Sequence, residues 1–503
     1  MLLFEQPVDL EKNNEDDTNI KPFAISRHFL LKLLLCGIIL IELLLYSKCP
    51  KPIDNGPRTI AHRSNTYFNG THDFKTLTIL ISIDGFHPRL IDAKYTPFLY
   101  NLHNLRSPYD MNITTAPYMI PSFPTQTLPN HWSMVTGKYP IEHGIVSNIF
   151  WDNFTSSEFR PNNLDARIWS NTADPIWQLL QTESQGEYKV ATHMWPGSEV
   201  VYEDHGDVPR ERMPFYFGKF NQWEKLQDKL AQIFRYIDMP QLKDRPELVI
   251  SYIPNVDSYG HSFGYDLRDK RLQKLIGEVD GFFLDLIEGL QKRNLLKISN
   301  VMIVSDHGMS NVNANDGEHV VVWERVFPAD AMSAFISHLY NEGPMMMVCL
   351  KNPRDKQWIR DLIEAQLEKA YGDEISRKFH VILKEDFDPS WKYFQYDNRK
   401  HRYDDRVGDI WILADEHYAI VKEMGDVPIG IMGTHGYNFN NCSDMASIFI
   451  GMGPMFNNEV VPPFENIEVY NMLIKASALL GEEKTKKEKK RQRRRRVYYN
   501  NTE

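Results

Sequence analysis

Residues 76–84 read TLTILISID, a short run that is almost entirely apolar and rich in β-branched side chains. A run of this length and composition is typical of a β-strand that is buried on both faces. Four similar runs follow along the chain: YKVATHM (188–194), ELVISYI (247–253), NVMIVSD (300–306) and MASIFIG (445–451). These five runs predict the strands of one buried sheet.

Segments with a helical pattern of apolar residues lie between the strands. They are DPIWQLLQTES (174–184), WEKLQDKLAQIFRYI (223–237), LQKLIGEVDGFFLDLIEGLQKRN (272–294) and NIEVYNMLIKASALLG (466–481). Strands that alternate with helices at this spacing imply a parallel sheet with helices on both faces. We therefore expect a three-layer α/β/α fold with a mostly parallel central sheet. Residues 318–432, which mix short elements, are interpreted as an insertion packed on the edge of that sheet.

The composition is that of a globular protein, with 42% hydrophobic and 25% charged residues. The net charge of −10 conceals a basic segment, KTKKEKKRQRRRR (484–496), in which ten basic residues stand against one acidic residue. The rest of the chain is therefore strongly acidic, which argues against a nucleic-acid-binding core. We expect residues 483–503 to form a basic, disordered tail.

Residues 29–46, FLLKLLLCGIILIELLLY, form an apolar run interrupted only by Lys32 and Glu42. The run is just long enough to span a bilayer, and Lys32 lies near its end, where the ammonium group can reach the interface. Glu42 is costly inside a bilayer, and a buried core helix is the competing interpretation. Because no small-residue cleavage site is evident, an uncleaved signal anchor is favoured over a cleaved signal peptide.

Basic residues flank the apolar run equally on both sides, so charge does not set its orientation. Acceptor sequons for N-glycosylation all follow the run, which predicts a single-pass type II membrane protein with a lumenal or extracellular body. The predicted organisation is a cytosolic tail (1–28), a transmembrane signal anchor (29–46), a stalk (47–74), a main domain (75–482) and the basic tail (483–503). The sequons are at Asn69, Asn112, Asn153, Asn441 and Asn500.

The four cysteines include no CxxC pair, so a thiolate zinc site does not organise this chain. If the body lies outside the cytosol, Cys349 and Cys442 form a disulfide or remain two free, buried thiols. Both alternatives stay open.

Acidic and imidazole side chains follow the predicted strands, where a parallel α/β sheet places its ligand crevice. In DSYGH, Asp257 and His261 are one helical turn apart, so a helix there would place them on one face. Each residue taken alone has a structural interpretation, such as an Asp that caps a helix. Their shared position at one edge of one sheet favours a site. The candidates are Asp84, Asp257, His261, Asp306, His307 and His435.

Carboxylate and imidazole ligands without thiolates suit zinc or manganese. Six such ligands are too many for one catalytic ion that must keep an open position, so two ions are the more economical hypothesis. Two-metal sites clamp the attacking and leaving oxygens of an in-line phosphoryl displacement.

Residues 123–137, FPTQTLPNHWSMVTG, are crowded with hydroxyl groups and lead into a helix predicted to begin just after Pro129. Hydroxyls before a first helical turn are ordinary N-caps. The same geometry places a nucleophile near a helix N-terminus, which stabilises negative charge. A metal bound to a threonine oxygen favours the alkoxide, so this stretch offers a nucleophile for the predicted two-metal site.

Six motifs occur in the order SIDGF, PTQTLPNHWSMVTGKYPIEHGIVSN, MWPGSEV, DSYGH, SDHGM and GTHGYNF. Together they resemble the ectonucleotide pyrophosphatase/phosphodiesterase family of the alkaline-phosphatase superfamily, and the fungal membrane-anchored members in particular. The resemblance covers about residues 76–481 and makes the main domain (75–482) a catalytic domain.

The resemblance implies two Zn²⁺ ions per chain and a covalent nucleotidyl-threonine intermediate. Thr127 matches the family nucleophile, and Asn148 matches an asparagine whose amide stabilises phosphoryl charge. The matching metal ligands are Asp257, His261 and His435 for one ion, and Asp84, Thr127, Asp306 and His307 for the other.

Family members hold a nucleobase between two aromatic side chains, and this sequence departs from that pattern. Leu128 stands where Phe is usual, which forgoes aromatic stacking worth roughly 0.5–1.5 kcal/mol. Phe220 is our choice for the second wall, with Tyr216 and Trp195 as alternatives. Core packing is the competing role for all three.

The resemblance therefore implies hydrolysis of extracytosolic nucleoside triphosphates and phosphodiesters to nucleoside monophosphates, for nucleotide or phosphate scavenging. One alternative is a lipid-headgroup phosphodiesterase of the same superfamily, acting on choline or ethanolamine esters. The other is a catalytically silent surface binding module, which would require lost metal ligands.

Overall fold

The computed structural model describes residues 66–477, apart from residues 203–207, 316 and 329–330. The predicted cytosolic tail, the predicted anchor at 29–46, most of the predicted stalk, the basic tail and Asn500 lie outside the described residues. Within the described part of the chain, no helix is long and apolar enough to cross a membrane.

Two sheets organise the described residues: a central sheet of eight strands and a second sheet of four. In chain order, their strands are β1 (Leu77–Ile83), β2 (Ile113–Thr115), β3 (Val190–His193), β4 (Tyr216–Gly218), β5 (Leu248–Ile253), β6 (Ser299–Val304), β7 (Ile336–Glu342), β8 (Met345–Leu350), β9 (Phe379–Leu383), β10 (Ile410–Ala414), β11 (Phe449–Met452) and β12 (Glu459–Val460). Short two-stranded ladders pair Tyr67–Phe68 with Asp73–Phe74, Met119–Ile120 with Phe464–Glu465, Phe150–Asp152 with Ser157–Phe159, Ser310–Asn313 with Ile431–Thr434, and Val320–Val322 with Ala419–Val421.

The α-helices of the described residues cover the central sheet and support the second one. In chain order they are α1 (Pro97–His103), α2 (Thr127–Thr136), α3 (Pro140–His143), α4 (Ala166–Ser170), α5 (Ile176–Glu183), α6 (Leu226–Ile237), α7 (Asn255–Phe263), α8 (Lys270–Lys292), α9 (Trp323–Val326), α10 (Lys356–Ser376) and α11 (Glu468–Ser477).

The strand order of the central sheet is β12-β2-β11-β6-β1-β5-β3-β4. All neighbours in it are parallel except the two pairs that involve β11, which is antiparallel to β6 and to β2. The sheet is therefore mixed and mostly parallel, and β11, which lies in the MASIFIG run, is its one reversed strand. The loop that carries His435 precedes β11 and lies at the carboxyl end of β6. The chain therefore enters β11 at the carboxyl edge of the sheet, which makes β11 antiparallel to β6.

The inner strands of the central sheet bury alternate side chains against helices on opposite faces, as the period of two requires. In β1, Ile79 and Ile81 belong to the apolar cluster that includes α1, α6 and α8. Leu80, between them, belongs to the cluster that includes α2, α5 and α11. All three side chains are fully buried, and each such burial is worth roughly 1.5–3 kcal/mol. The described fold is a three-layer α/β/α sandwich.

The second sheet lies within the segment that we interpreted as an insertion. Its strand order is β7-β8-β10-β9, and every pair is antiparallel. One of its faces packs on the apolar side of α10, through Ile359, Ile363 and Leu367. Its β7–β8 hairpin ends at Gly343, close to the loop that holds His435.

The cysteines and sequons of the described residues lie as follows. Cys349 and Cys442 are both free thiols and form no disulfide; Cys442 is buried as expected, whereas Cys349 is only partly buried. Among the sequons, the Asn69 amide donates to the carbonyl of Arg293 at 2.8 Å and the Asn112 amide to that of Phe456 at 3.0 Å. Asn153 and Asn441 are exposed.

A buried ion pair ties the second-sheet segment to the central fold. The Arg406 guanidinium donates from Nε to Asp152 Oδ1 at 2.8 Å and also to the carbonyls of Gly144 and Asn171. Both charged side chains are 1% exposed.

Replacing Arg406 with Ala should destabilise the fold strongly. The change leaves Asp152 charged and unpaired in the interior, which typically costs about 3–5 kcal/mol of unfolding free energy. Thermal unfolding followed by circular dichroism measures it as a lower melting temperature. The matched control is Arg268→Ala, which removes the exposed Arg268–Asp266 pair and should leave the melting temperature unchanged. Equal shifts for both variants would contradict the role assigned to Arg406.

Candidate active site

Helix α2 presents one partly exposed residue at its first position, and that residue is Thr127. The nine residues that follow it in the helix are all buried. The helix begins two residues before Pro129, so the predicted start after Pro129 is wrong. Proline is tolerated in a first helical turn because its missing N–H has no helical partner there. The Thr127 hydroxyl therefore lies at the positive end of the helix dipole.

The side chain of Asn130 fixes the approach to this helix. Its amide nitrogen donates to the carbonyls of Pro124 and Gln126 at 3.0 and 2.8 Å, and its oxygen accepts from the N–H of Ser122 at 2.8 Å. The turn before Thr127 is thereby held from inside the protein.

Three carboxylates converge at the carboxyl edge of the central sheet. Asp84 follows β1, Asp306 follows β6, and Asp257 lies in the first turn of α7 after β5. All three are at least nine-tenths buried. In the described structure, one oxygen of each, Oδ1 of Asp84 and Asp257 and Oδ2 of Asp306, accepts no hydrogen bond. Burial raises the pKa of each carboxyl, and for Asp84 the other two carboxylates raise it further.

Three histidines point Nε2 toward these carboxylates, while Nδ1 of each ring lies against a backbone carbonyl. Nδ1 of His261 lies 3.1 Å from the carbonyl of Gly433, that of His307 lies 2.9 Å from the carbonyl of Gly308, and that of His435 lies 2.9 Å from the carbonyl of Thr125. A carbonyl only accepts, so Nδ1 carries the proton in each ring. Nε2 is then left with a lone pair that is available to a metal ion.

These atoms form two adjoining groups. In the first, His261 Nε2 and His435 Nε2 are 3.1 Å apart, and Asp257 Oδ1 lies 3.4 and 3.5 Å from them.

In the second group, His307 Nε2 lies 3.4 Å from Asp84 Oδ1 and 3.2 Å from Asp306 Oδ2. The hydroxyl oxygen of Thr127 is 3.4 Å from the same nitrogen. The rings of His307 and His435 stack with centroids 3.7 Å apart and so join the groups. All six candidate ligands, together with Thr127, are thus brought to one place.

The donor set fits metal ions. Lone pairs of imidazole nitrogens face carboxylate oxygens at 3.2–3.5 Å, which is repulsive unless a cation lies between them. Burial lowers the pKa of His435 to about 3 and that of His307 well below its ordinary value, so both rings stay neutral and able to bind metal. Two sets of three side chains have ligand atoms within 4.8 Å of one another: Asp257, His261 and His435, and Asp84, Asp257 and His307.

Two residues beside the carboxylates were not identified from the sequence. The Tyr252 hydroxyl donates to Asp84 Oδ2, and the His131 ring lies between Asp306 and the backbone of Thr127. The spacing of Thr127 and His131, four residues apart in one helix, could have indicated a shared face. No local pattern marks Tyr252, which is the penultimate residue of an apolar strand.

Asn148 lies next to the first turn of α2. Its side-chain oxygen accepts from the backbone N–H of Leu128 at 2.9 Å. Two further residues that sequence reasoning missed lie beside it. The Gln126 side-chain oxygen accepts from the N–H of Asn148 at 3.0 Å, and Glu342 accepts from the Gln126 side-chain nitrogen at 2.7 Å.

The candidates for a base-binding wall differ in exposure. Leu128 is 3% exposed and packs in a core cluster with Trp132, and Trp195 is 1% exposed with its ring edge-on to His131. Little of either side chain is available to a ligand.

Of the remaining two candidates, Tyr216 stacks on Tyr236 and donates its hydroxyl to the carbonyl of Asp244, away from the carboxylates. Phe220 is 48% exposed, and its ring centroid is 6.3 Å from that of Tyr252. Among the four candidates, Phe220 therefore combines exposure with proximity to the site.

Comparison with known proteins agrees with this geometry. The family model described as type I phosphodiesterase / nucleotide pyrophosphatase matches residues 78–438. The chain is 99% identical over 485 residues to ectonucleotide pyrophosphatase/phosphodiesterase 2 of Saccharomyces cerevisiae, an alignment that covers 96% of this chain and 98% of that protein. It is 39% identical over 512 residues to ectonucleotide pyrophosphatase/phosphodiesterase 1 of the same yeast, with 93% of this chain and 66% of that protein covered.

The fold has solved counterparts. A structure of murine ectonucleotide pyrophosphatase/phosphodiesterase 5, an inactive threonine-to-alanine variant in complex with AMP, superposes with a TM-score of 0.64 at 23% identity. The superposition covers 80% of this chain and 95% of that one and shows a shared fold. The family resemblance of the six motifs is confirmed. The chain belongs to the type I phosphodiesterase/nucleotide pyrophosphatase family.

Proposed function

We propose that this chain is a two-zinc nucleotide pyrophosphatase/phosphodiesterase that converts nucleoside triphosphates and nucleotide diesters to nucleoside monophosphates. The observation that carries the proposal is the Thr127 hydroxyl, partly exposed at a helix N-terminus and 3.4 Å from His307 Nε2 within a cluster of unpartnered carboxylate oxygens. A nucleophile, a cation site and a source of positive potential thus meet at one point.

Two ions would be held by the two groups described above. Asp257, His261 and His435 would hold one, and Asp84, Thr127, Asp306 and His307 the other. When bound, the ions would lower the pKa of the threonine hydroxyl and neutralise charge on the phosphoryl oxygens. The oxygen and nitrogen donors suit zinc, and the carbonyl partners of the three Nδ1 atoms hold the rings in the orientation required.

The chain's own residues would carry the reaction in two displacements. The Thr127 oxygen attacks the phosphorus, a Thr127 O–P bond forms, and the bond to the leaving alcohol or pyrophosphate breaks. Water then cleaves the O–P bond and returns the threonine hydroxyl. The Asn148 amide nitrogen would donate to the phosphoryl oxygen, while the Asn148 oxygen stays occupied by the N–H of Leu128.

The names of the relatives support nucleotide substrates and an extracellular catalytic domain. The AMP complex of the murine neighbour, and the inactivity of its threonine-to-alanine variant, support a nucleotide product and a required threonine. The predicted anchor and the sequons agree with an extracytosolic body that scavenges nucleotides or phosphate.

A second substrate class follows from the burial of Leu128. One wall of the expected base slot is absent, which favours substrates without a base, such as choline or ethanolamine phosphodiesters. Competition between ATP and glycerophosphocholine for one chromogenic substrate separates the two classes. Stronger inhibition by ATP supports the nucleotide proposal. The silent binding module is not favoured, because the expected metal ligands are all present at the site.

Replacing Thr127 with Ala should lower kcat for the nitrophenyl ester of thymidine monophosphate by at least about 10³-fold, because the attacking oxygen is lost. Initial rates on the purified full-length chain measure it. The control is Thr136→Ala at the other end of the same helix, where the hydroxyl only donates to the carbonyl of Trp132. An active Thr127→Ala variant would remove the proposed nucleophile.

Chelation should abolish turnover, and added Zn²⁺ should restore it. Elemental analysis should find about two Zn²⁺ per chain in the native protein and about one in His261→Ala, because that variant loses a ligand of one group only. The control is His380→Ala, which removes an exposed imidazole paired with Asp415. Equal zinc content in His261→Ala and the native protein would contradict the assignment.

Phe220→Ala should raise KM for the thymidine ester about 3- to 10-fold, because stacking of a base on an aromatic ring is worth roughly 0.5–1.5 kcal/mol. KM for bis(nitrophenyl) phosphate, which has no base, serves as the internal comparison and should change less. The control variant is Phe154→Ala, which removes an exposed aromatic ring from the turn between Phe150–Asp152 and Ser157–Phe159. An equal increase for both substrates would show that Phe220 does not contact the base.

A further inference from the structure

The tip of the β7–β8 hairpin reaches the candidate active site from the second sheet. Gly343 forms this tip with a positive φ of 58°. A Cβ atom at Gly343 would lie 2.0 Å from the Thr434 hydroxyl, one residue before His435. The hairpin therefore contacts the loop of one proposed metal ligand, although no motif of the family resemblance includes it.

Glu342, immediately before the tip, contacts the other side of the site. Its Oε2 accepts from the Gln126 side-chain nitrogen at 2.7 Å. The Asn148 side chain also stabilises the charged form of this carboxylate and lowers its pKa. One carboxylate thus accepts a hydrogen bond from the residue that precedes Thr127 and interacts favourably with the proposed phosphoryl-binding asparagine.

Gln126 links the Glu342 carboxylate to the backbone N–H of Asn148. It is fully buried, and its side-chain oxygen accepts from the Ser147 hydroxyl at 2.9 Å and from the N–H of Asn148 at 3.0 Å. Every polar atom of the Gln126 side chain is therefore engaged in one orientation. If the amide were flipped, its NH₂ group would face two donors.

The orientation of Asn148 follows from the same contacts. Its oxygen accepts from the N–H of Leu128 at 2.9 Å, so the amide nitrogen is the group that can stabilise the charge of Glu342. An N–H of the same amide remains for the phosphoryl group. The N–H of Leu128 and the Glu342 carboxylate therefore favour the same orientation of the amide.

We propose that Glu342 is a positioning residue of the active site, supplied by the second sheet, which holds Gln126 and Asn148 so that the free Asn148 N–H and the Thr127 hydroxyl face the same phosphoryl group. The inference rests on the proposed function. It requires a carboxylate, because the Gln126 and Asn148 side chains both stabilise its negative charge. Glutamine at this position offers one acceptor oxygen, and its NH₂ group would face a donor.

A double-mutant cycle on kcat/KM tests this role, with the thymidine nitrophenyl ester as substrate. Glu342→Gln should lower kcat/KM about 10- to 100-fold, mainly through kcat. The reason is that a misplaced Asn148 N–H no longer stabilises the charge on the phosphoryl group in the transition state. In an Asn148→Ala background, the same Glu342→Gln change should cost less than about threefold, because its effect passes through Asn148.

Melting temperature and bound zinc, measured on every variant, separate positioning from folding. Both should remain close to native in Glu342→Gln, and Glu374→Gln on the exposed surface of α10 is the matched control with native activity. Full activity of Glu342→Gln overturns the proposal, and so do additive losses in the cycle or a loss that follows the melting temperature. The proposed function fails separately, through an active Thr127→Ala variant.

Discussion

The repulsion between imidazole lone pairs and carboxylate oxygens is the constraint on which the rest of this structure depends. Three Nε2 atoms and three buried carboxylates share one small volume at the edge of the central sheet. Burying such groups without opposite charge is expensive, and cations between them would remove the penalty. The scaffold that tolerates this crowding is a large sheet with buried inner strands and helices on both faces.

The direction of β11 shows how the fold delivers ligands to that edge. Asp84 and Asp306 follow parallel strands, whereas His435 precedes the antiparallel strand β11. One reversed strand therefore lets a late loop of the chain join ligands contributed by its early strands. Close backbone packing supports the arrangement, since a Cβ at Gly433 would lie 2.6 Å from the carbonyl of Gly260, beside His261.

Much of the fold and most of the candidate site could be predicted from the sequence, because both depend on local patterns of residues. Buried parallel strands read as apolar runs, and the residues that follow them mark the crevice. What could not be predicted depends on tertiary contacts. The reversal of β11 leaves no trace in its composition, the burial of Leu128 depends on its neighbours, and Glu342 reaches the site only because of how a distant hairpin packs.

The two-metal centre proposed above lies among the Asp and His side chains beside Thr127. Anomalous diffraction from crystals of the purified chain, collected on both sides of the zinc absorption edge, tests it most directly. Two peaks about 3.5–4 Å apart are expected, one among Asp257, His261 and His435 and one among Asp84, Asp306 and His307. A single peak, or none at these side chains in crystals grown with zinc, would contradict it.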